Sequence, residues 1–285
     1  MGNLSETSSR SPRPPVGDRS NGHLVAASGP AAEVRYGPTC HWSAAVYGSC
    51  PSPCRPTTPR SVRHALGAPK DDWLNHFTMR MLMLLESKCL RGDATFEEVQ
   101  REIISAYYRD YPDHQSSFEP WFLINDIGRF WKTLLLNYEN KRNQDTDDPV
   151  RKNKQKVRNF KLKYSRMTTC FATIAALASH QETIEENDVF NLVQLTPQQR
   201  LEHVAEMLPA VQHEVAEIQE DYAWFMEQTG QTEETLRAGF EDRVHREDRF
   251  ARANGYGDKM FALLNAIAEH SPRDQSEKFL RYLVI

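Results

Sequence analysis

From Phe118 to Ile174 apolar residues return every three or four positions through two long runs, Trp121 to Arg142 and Val157 to Ala178, with a short charged connection between them. That period gives an α-helix one apolar face and leaves a strand none. In the first run the stripe is Ile124, Ile127, Trp131, Leu134, Leu135 and Tyr138; in the second it is Phe160, Tyr164, Met167, Phe171, Ile174 and Ala178. Beside each stripe runs a polar line. Asn125, Arg129 and Lys132 project in one direction on the first helix, with Asp126 one turn below Arg129, and Lys161, Ser165 and Thr168 do so on the second. Packed antiparallel, the two helices are expected to bring cations, an amide and hydroxyls to a common edge, which suits an anion such as a phosphate chain.

The rest of the chain from Trp73 follows the same helical period. Trp73, Phe77, Met81, Leu84 and Leu85 begin a helix expected to end between Lys88 and Gly92. Thr95 with Glu98 forms a capping-box pattern for a helix through Val99, Ile103, Ala106 and Tyr107, which Tyr111-Pro112 should stop. Thr183 with Glu186 is a second such pattern, and Thr196-Pro197-Gln198-Gln199 sets a cap, a first-turn proline and a third-position glutamine in order. A long run through Leu201, Val204, Leu208, Val211, Val215, Ile218 and Tyr222 follows, with Pro209 expected to kink it. Helical spacing returns over Glu233 to Ala253, over Asp258 to Glu269, and after Ser271-Pro272. No strand pair or hairpin signal stands out after residue 70, so the expected class is all-α, a multi-helix bundle.

Residues 1–69 read differently. Met1 to Lys70 holds ten of the sixteen prolines, and its eight Lys/Arg against three Asp/Glu give +5. Because the whole chain carries −4, the remainder carries −9. A Pro, Ser and Arg-rich segment without periodicity buries too little apolar surface to offset its ordering entropy, so this arm is expected to be disordered, with the helical domain spanning 70–285. No stretch nears the roughly 20 apolar residues of a membrane span, and no signal-peptide core is present, so a cytoplasmic protein is expected.

Cys40, Cys50 and Cys54 lie in the arm, while Cys89 and Cys170 sit in helical runs where a reduced, buried thiol is expected. Cys40, His41, Cys50 and Cys54 do not make a common zinc pattern, since Cys40 and His41 are adjacent. The histidines, among them His76, His180 and His203, are scattered singly and form no spaced metal set. Arg151 to Arg166 carries eight cations and no acid. Its first half, Arg151 to Lys156, reads as a solvated, mobile face, whereas Lys161, Lys163 and Arg166 are held on an ordered helix. Nucleic acid is opposed by the overall charge.

Leu123-Ile124-Asn125-Asp126-Ile127, then Arg129-Phe130-Trp131-Lys132-Thr133 and Asn137-Tyr138-Glu139, with Arg158 to Arg166 downstream, resemble the helical part that follows the catalytic domain in bacterial nucleotidyltransferases of the DNA polymerase β superfamily. The similarity runs from about Trp73 to the C-terminus and is most specific in these motifs. It implies a helical domain that packs against a catalytic domain and offers basic and hydroxyl groups to a nucleoside triphosphate. Lys161 and Ser165 would take that role first, with Arg129 and Lys132 beside them and Asn125, Asp126 and Arg166 in support. Such enzymes also need a Gly-Ser turn followed by a strand with paired carboxylates to hold Mg²⁺. Only Gly48-Ser49 resembles the turn, and no apolar-Asp-apolar-Asp strand follows it.

The expectation is therefore a nucleotide- or phosphate-binding helical domain without catalytic residues or metal ligands of its own, inactive alone. Mg²⁺, nucleoside triphosphate and a catalytic nucleotidyltransferase domain are implied only as partners. The alternative is an all-α protein-interaction module without a nucleotide role.

Overall fold

The computed structural model describes residues 66–68, 70–114, 118–143, 148–180 and 182–270, all within one compact unit. Of the expected disordered arm, 1–69, residues 66–68 are described, and Leu66 packs against the core; the remainder with its cysteines, and the helix after Ser271, lie outside the described residues. Among the described residues every regular element is helical, in agreement with the all-α reading. None of these helices is long and apolar enough to cross a membrane.

The chain opens with a single turn, α1 (Lys70–Trp73), then α2 (His76–Leu85), α3 (Asp93–Tyr107) and a second single turn, α4 (Tyr111–His114). The one helix expected from Trp73 is thus two. Asn75 adopts a left-handed φ of 56° between them, a conformation Asn tolerates better than most residues, and Trp73 is left 87% exposed instead of joining the core. The helix also stops at Leu85, so Cys89 falls in the following loop, half-buried instead of buried. Nor does Thr95 cap α3. Gly92, at φ 86°, leads directly into Asp93, and Thr95 stands inside the first turn.

The long helix α5 (Trp121–Asn143) buries Leu123, Ile124, Ile127 and Phe130. Next comes a continuous rod: α6 (Pro149–Lys161), a π-helical turn (Leu162–Arg166) and α7 (Met167–Ala178). The expected helix from Val157 begins eight residues earlier, because Asp148 caps it, accepting from the Val150 amide at 3.0 Å, and Pro149 fills the first position. The basic residues Arg151 to Lys156 are consequently helical. The π turn inserts a residue and rotates the rod's faces. For this reason the line of Lys161, Ser165 and Thr168 does not hold together. Lys161 is exposed, Ser165 half-buried and Thr168 fully buried, its hydroxyl 2.5 Å from that of Tyr256.

α7 is the hub, buried almost all round and packed on α5, α2, α9 and α12. Ala172, Ala175 and Ala176 let those neighbours approach, and Trp131 of α5 meets Phe171 edge-on at 5.9 Å. After α8 (Glu186–Gln194), capped by a reciprocal Glu185–Asp188 pair and not by Thr183 and Glu186, comes α9 (Pro197–Met207). Its expected box is formed: Thr196 Oγ1 accepts from the Gln199 amide at 3.3 Å, and Gln199 Oε1 accepts from the Thr196 amide at 2.9 Å. Pro209 breaks the next run outright into a 3₁₀ turn, Pro209–Val211, and α10 (Gln212–Thr229). α11 (Glu233–Glu241) and α12 (Arg243–His270) then divide at Asp242, whose carboxylate accepts from the His245 amide at 2.9 Å. The break expected between Ala253 and Asp258 is absent, since α12 runs through Gly255 and Gly257 without interruption.

Candidate functional site

A cleft of about 130 Å³ lies where α1, α3 and α5 converge. Its floor is an ion-pair network around Arg80, which is 0% exposed. Arg80 clasps Asp71 in a two-pronged pair at 2.6 and 2.7 Å, donates from Nε to the Tyr107 hydroxyl at 3.3 Å, and lies 3.5 Å from Asp126. The Tyr107 hydroxyl in turn donates to Asp126 Oδ2 at 2.7 Å. Burial alone would lower the Arg80 pKa, but the hydrogen bonds it donates to Asp71 and Tyr107 more than offset this and hold the guanidinium charged. Burial pushes Tyr107 well above the usual phenol range, and it raises Asp126 against the opposing pull of Tyr107, Arg80 and Arg129.

The cleft wall adds Arg109, Asp110, Phe122 and Arg129. Arg129 lies over the Phe77 ring at 4.1 Å, is bound by Asp72, and has Asp126 at 3.7 Å. The Asp126–Arg129 pairing expected from their spacing is therefore made, but as part of a larger network. Asp71, Asp72, Asp110 and Asp126 face Arg80, Arg109 and Arg129, so the site carries one negative charge in excess. On its wall Phe122 is 71% exposed; Trp73 and Leu74, which follow Asp71 in the chain, are 87% and 52% exposed.

The sequence-selected residues divide between separate places. Asn125, Arg129 and Lys132 form an outward line on α5 that Phe122 and Leu136, both exposed, extend at either end. Lys132 and Asn125 face solvent. On the rod, Lys161 is also exposed, the Ser165 hydroxyl meets that of Tyr222 on α10, and Arg166 pairs with Glu86 after α2. Burial lowers the Arg166 pKa. Among the described residues no hydrogen bond or ion pair joins the α5 line to Lys161 or Ser165.

Two features escaped the sequence reading. Asp71 and Arg80, nine residues apart, straddle the Asn75 break, and helix periodicity gives no sign of a pair across it. His180 and His203 also meet, with Nε2 atoms 3.5 Å apart. No group of three or more His, Cys, Asp or Glu is placed to hold a metal ion among the described residues.

No family model matches this chain, and no curated protein or solved structure matches it significantly. The resemblance to nucleotidyltransferase helices therefore rests on the α5 and rod motifs alone.

Proposed function

We propose that this chain is a helical protein-interaction module whose binding face is the cleft between α1, α3 and α5. The observation that carries this reading is the exposure of Phe122 on the wall of a cleft whose floor is fixed by buried ion pairs, with Trp73 in solvent two residues after Asp71. Exposed aromatics around a concavity are costly to leave in water, and Trp and Arg are the residues on which interfaces concentrate their binding energy. The fitting partner is a protein segment that lays an apolar side chain against Phe122. A Lys or Arg on the same segment would be drawn to the one carboxylate in excess, Asp110.

The nucleotide reading has one point in its favour: Arg109 and Arg129 also line the cleft. Against it, a phosphate chain there meets more carboxylates than guanidinium groups, and Arg129 is already held by Asp72. Lys161 and Ser165, which the resemblance ranks first, lie apart from Arg129 in contact.

The experiment is to select peptides from a display library on the full chain and titrate them against wild type, the Trp73→Ala/Phe122→Ala double variant and Asp110→Asn. The double variant is expected to lose at least tenfold in affinity, about 1.4 kcal/mol or more, and Asp110→Asn several-fold for basic peptides. Unchanged affinity in the double variant would contradict the proposal. A nucleoside triphosphate titrated in parallel supports the nucleotide reading instead if it binds and Lys161→Ala weakens it at unchanged melting temperature.

A further inference from the structure

The fold brings together two histidines that the sequence keeps 23 residues apart. His180 follows the C-terminus of α7 and His203 stands in the second turn of α9, and these two helices pack tightly on one another. Ser179, buried, donates to the Ala176 carbonyl at 3.0 Å, while Leu201 and Val204, both 0% exposed, fasten α9 beneath His203. Both ring positions are thus set by the core. The ring centroids are 5.5 Å apart with planes inclined by 44°, and the Nε2 atoms are closer, at 3.5 Å, so the rings approach nitrogen first.

That spacing matches what one metal ion asks of two imidazoles. With metal–nitrogen bonds of about 2.0–2.1 Å and a tetrahedral angle, two coordinating nitrogens lie about 3.4 Å apart. We propose that His180 and His203 form a two-imidazole binding site for a borderline divalent cation of the Zn²⁺ type. Hard cations such as Mg²⁺ and Ca²⁺ prefer oxygen donors and are not its ligands. The cation would clamp α7 to α9. With two protein ligands, the remaining positions fall to water or to an incoming donor, so the site is open and exchangeable, unlike a closed four-ligand structural site. This site is independent of the cleft.

The test uses the full chain with Cys40→Ser, Cys50→Ser and Cys54→Ser, so that the N-terminal thiols do not compete for metal. Imidazole ¹⁵N resonances are followed at pH 7 while Zn²⁺ alone is added. The expected result is a shift of the Nε2 signals of both His180 and His203, saturating at one equivalent and absent with Mg²⁺. His180→Gln and His203→Gln should each weaken this binding at least tenfold and abolish the accompanying rise in melting temperature. Unmoved His180 and His203 signals overturn the proposal, as does binding that survives in both variants. If neither variant folds, the resonances of the unsubstituted histidines decide.

Discussion

Charge is handled in opposite ways around the cleft and around the π turn. At the cleft the ions are inside and the aromatics are outside: Arg80 is fully buried with Asp71, while Trp73 and Phe122 stand in water. Around the π turn the aromatics are inside. Tyr164 lies parallel to Phe225 at 4.7 Å and against Tyr256 at 4.4 Å, with Phe160 and Phe240 packed alongside. There the acid is buried too, Asp221 being 6% exposed, but the cations that hold it, Arg252 and Lys259, are each about a third exposed, with Arg252 over Trp224. An aromatic core stabilises the fold through burial and leaves nothing for a ligand. A buried ion network contributes little net stability, and its rigid floor leaves nearby aromatics free to meet a partner.

Breaking one partner of each ion pair separates the two regions most strongly. Asp71→Ala strands the Arg80 charge in the interior and should cost about 3–5 kcal/mol. Asp221→Ala should cost about 1–2 kcal/mol, since Arg252 and Lys259 can turn to water. Urea unfolding of both variants checks the order, and equal costs would erase the contrast. Arg200 supplies a third case. It is 1% exposed and, among the described residues, pairs with no carboxylate, donating to Thr173 Oγ1 at 2.6 Å and to the Leu192 and Val193 carbonyls at 3.1 Å, at the C-terminal end of α8 where the helix dipole favours a cation. Burial lowers its pKa to about 10. Because no carboxylate is left stranded, Arg200→Met should cost less than Asp71→Ala, about 1–3 kcal/mol.

A smaller effect is expected with pH. Burial lowers the pKa of both His76, beside the cleft network, and His180. A base with a lowered native pKa binds fewer protons folded than unfolded in that window, so its contribution to stability is complete above about pH 6.5 and is lost as the pH falls below it. Melting temperatures between pH 7 and 5 should therefore fall, and His180→Gln should flatten the slope. The smallest stability effect belongs to the proposed face itself. Trp73→Ala and Phe122→Ala should each change stability by no more than about 0.5 kcal/mol, because neither side chain joins the core. A larger loss would mark them as structural.

Period made the helices legible, and of the three expected capping boxes one, Thr196–Gln199, is formed. The stripe of Ile124, Ile127 and Trp131 and the Thr196–Gln199 box are local signals, and local structure obeys them. What stayed hidden depends on single residues that shift register. Asn75 detached Trp73 from the core, and the π turn at Leu162–Arg166 broke the line of Lys161, Ser165 and Thr168, although no composition or spacing marks it. The proposed anion edge assumed one unbroken helical register through that turn. Of its members, only Asp126 and Arg129 entered the cleft, and their partners Arg80, Asp72 and Tyr107 come from helices whose packing no period specifies.

The most direct test of the interaction face is the Trp73 indole resonance in ¹⁵N-labelled full chain, followed while a library-selected peptide is added. The account predicts that the Trp73 indole signal and the amides of Phe122 and Asp126 shift together and saturably, while the Trp224 indole and the Lys161 and Ser165 amides stay in place. Shifts centred on Lys161, Ser165 and Trp224, with Trp73 unmoved, would contradict it.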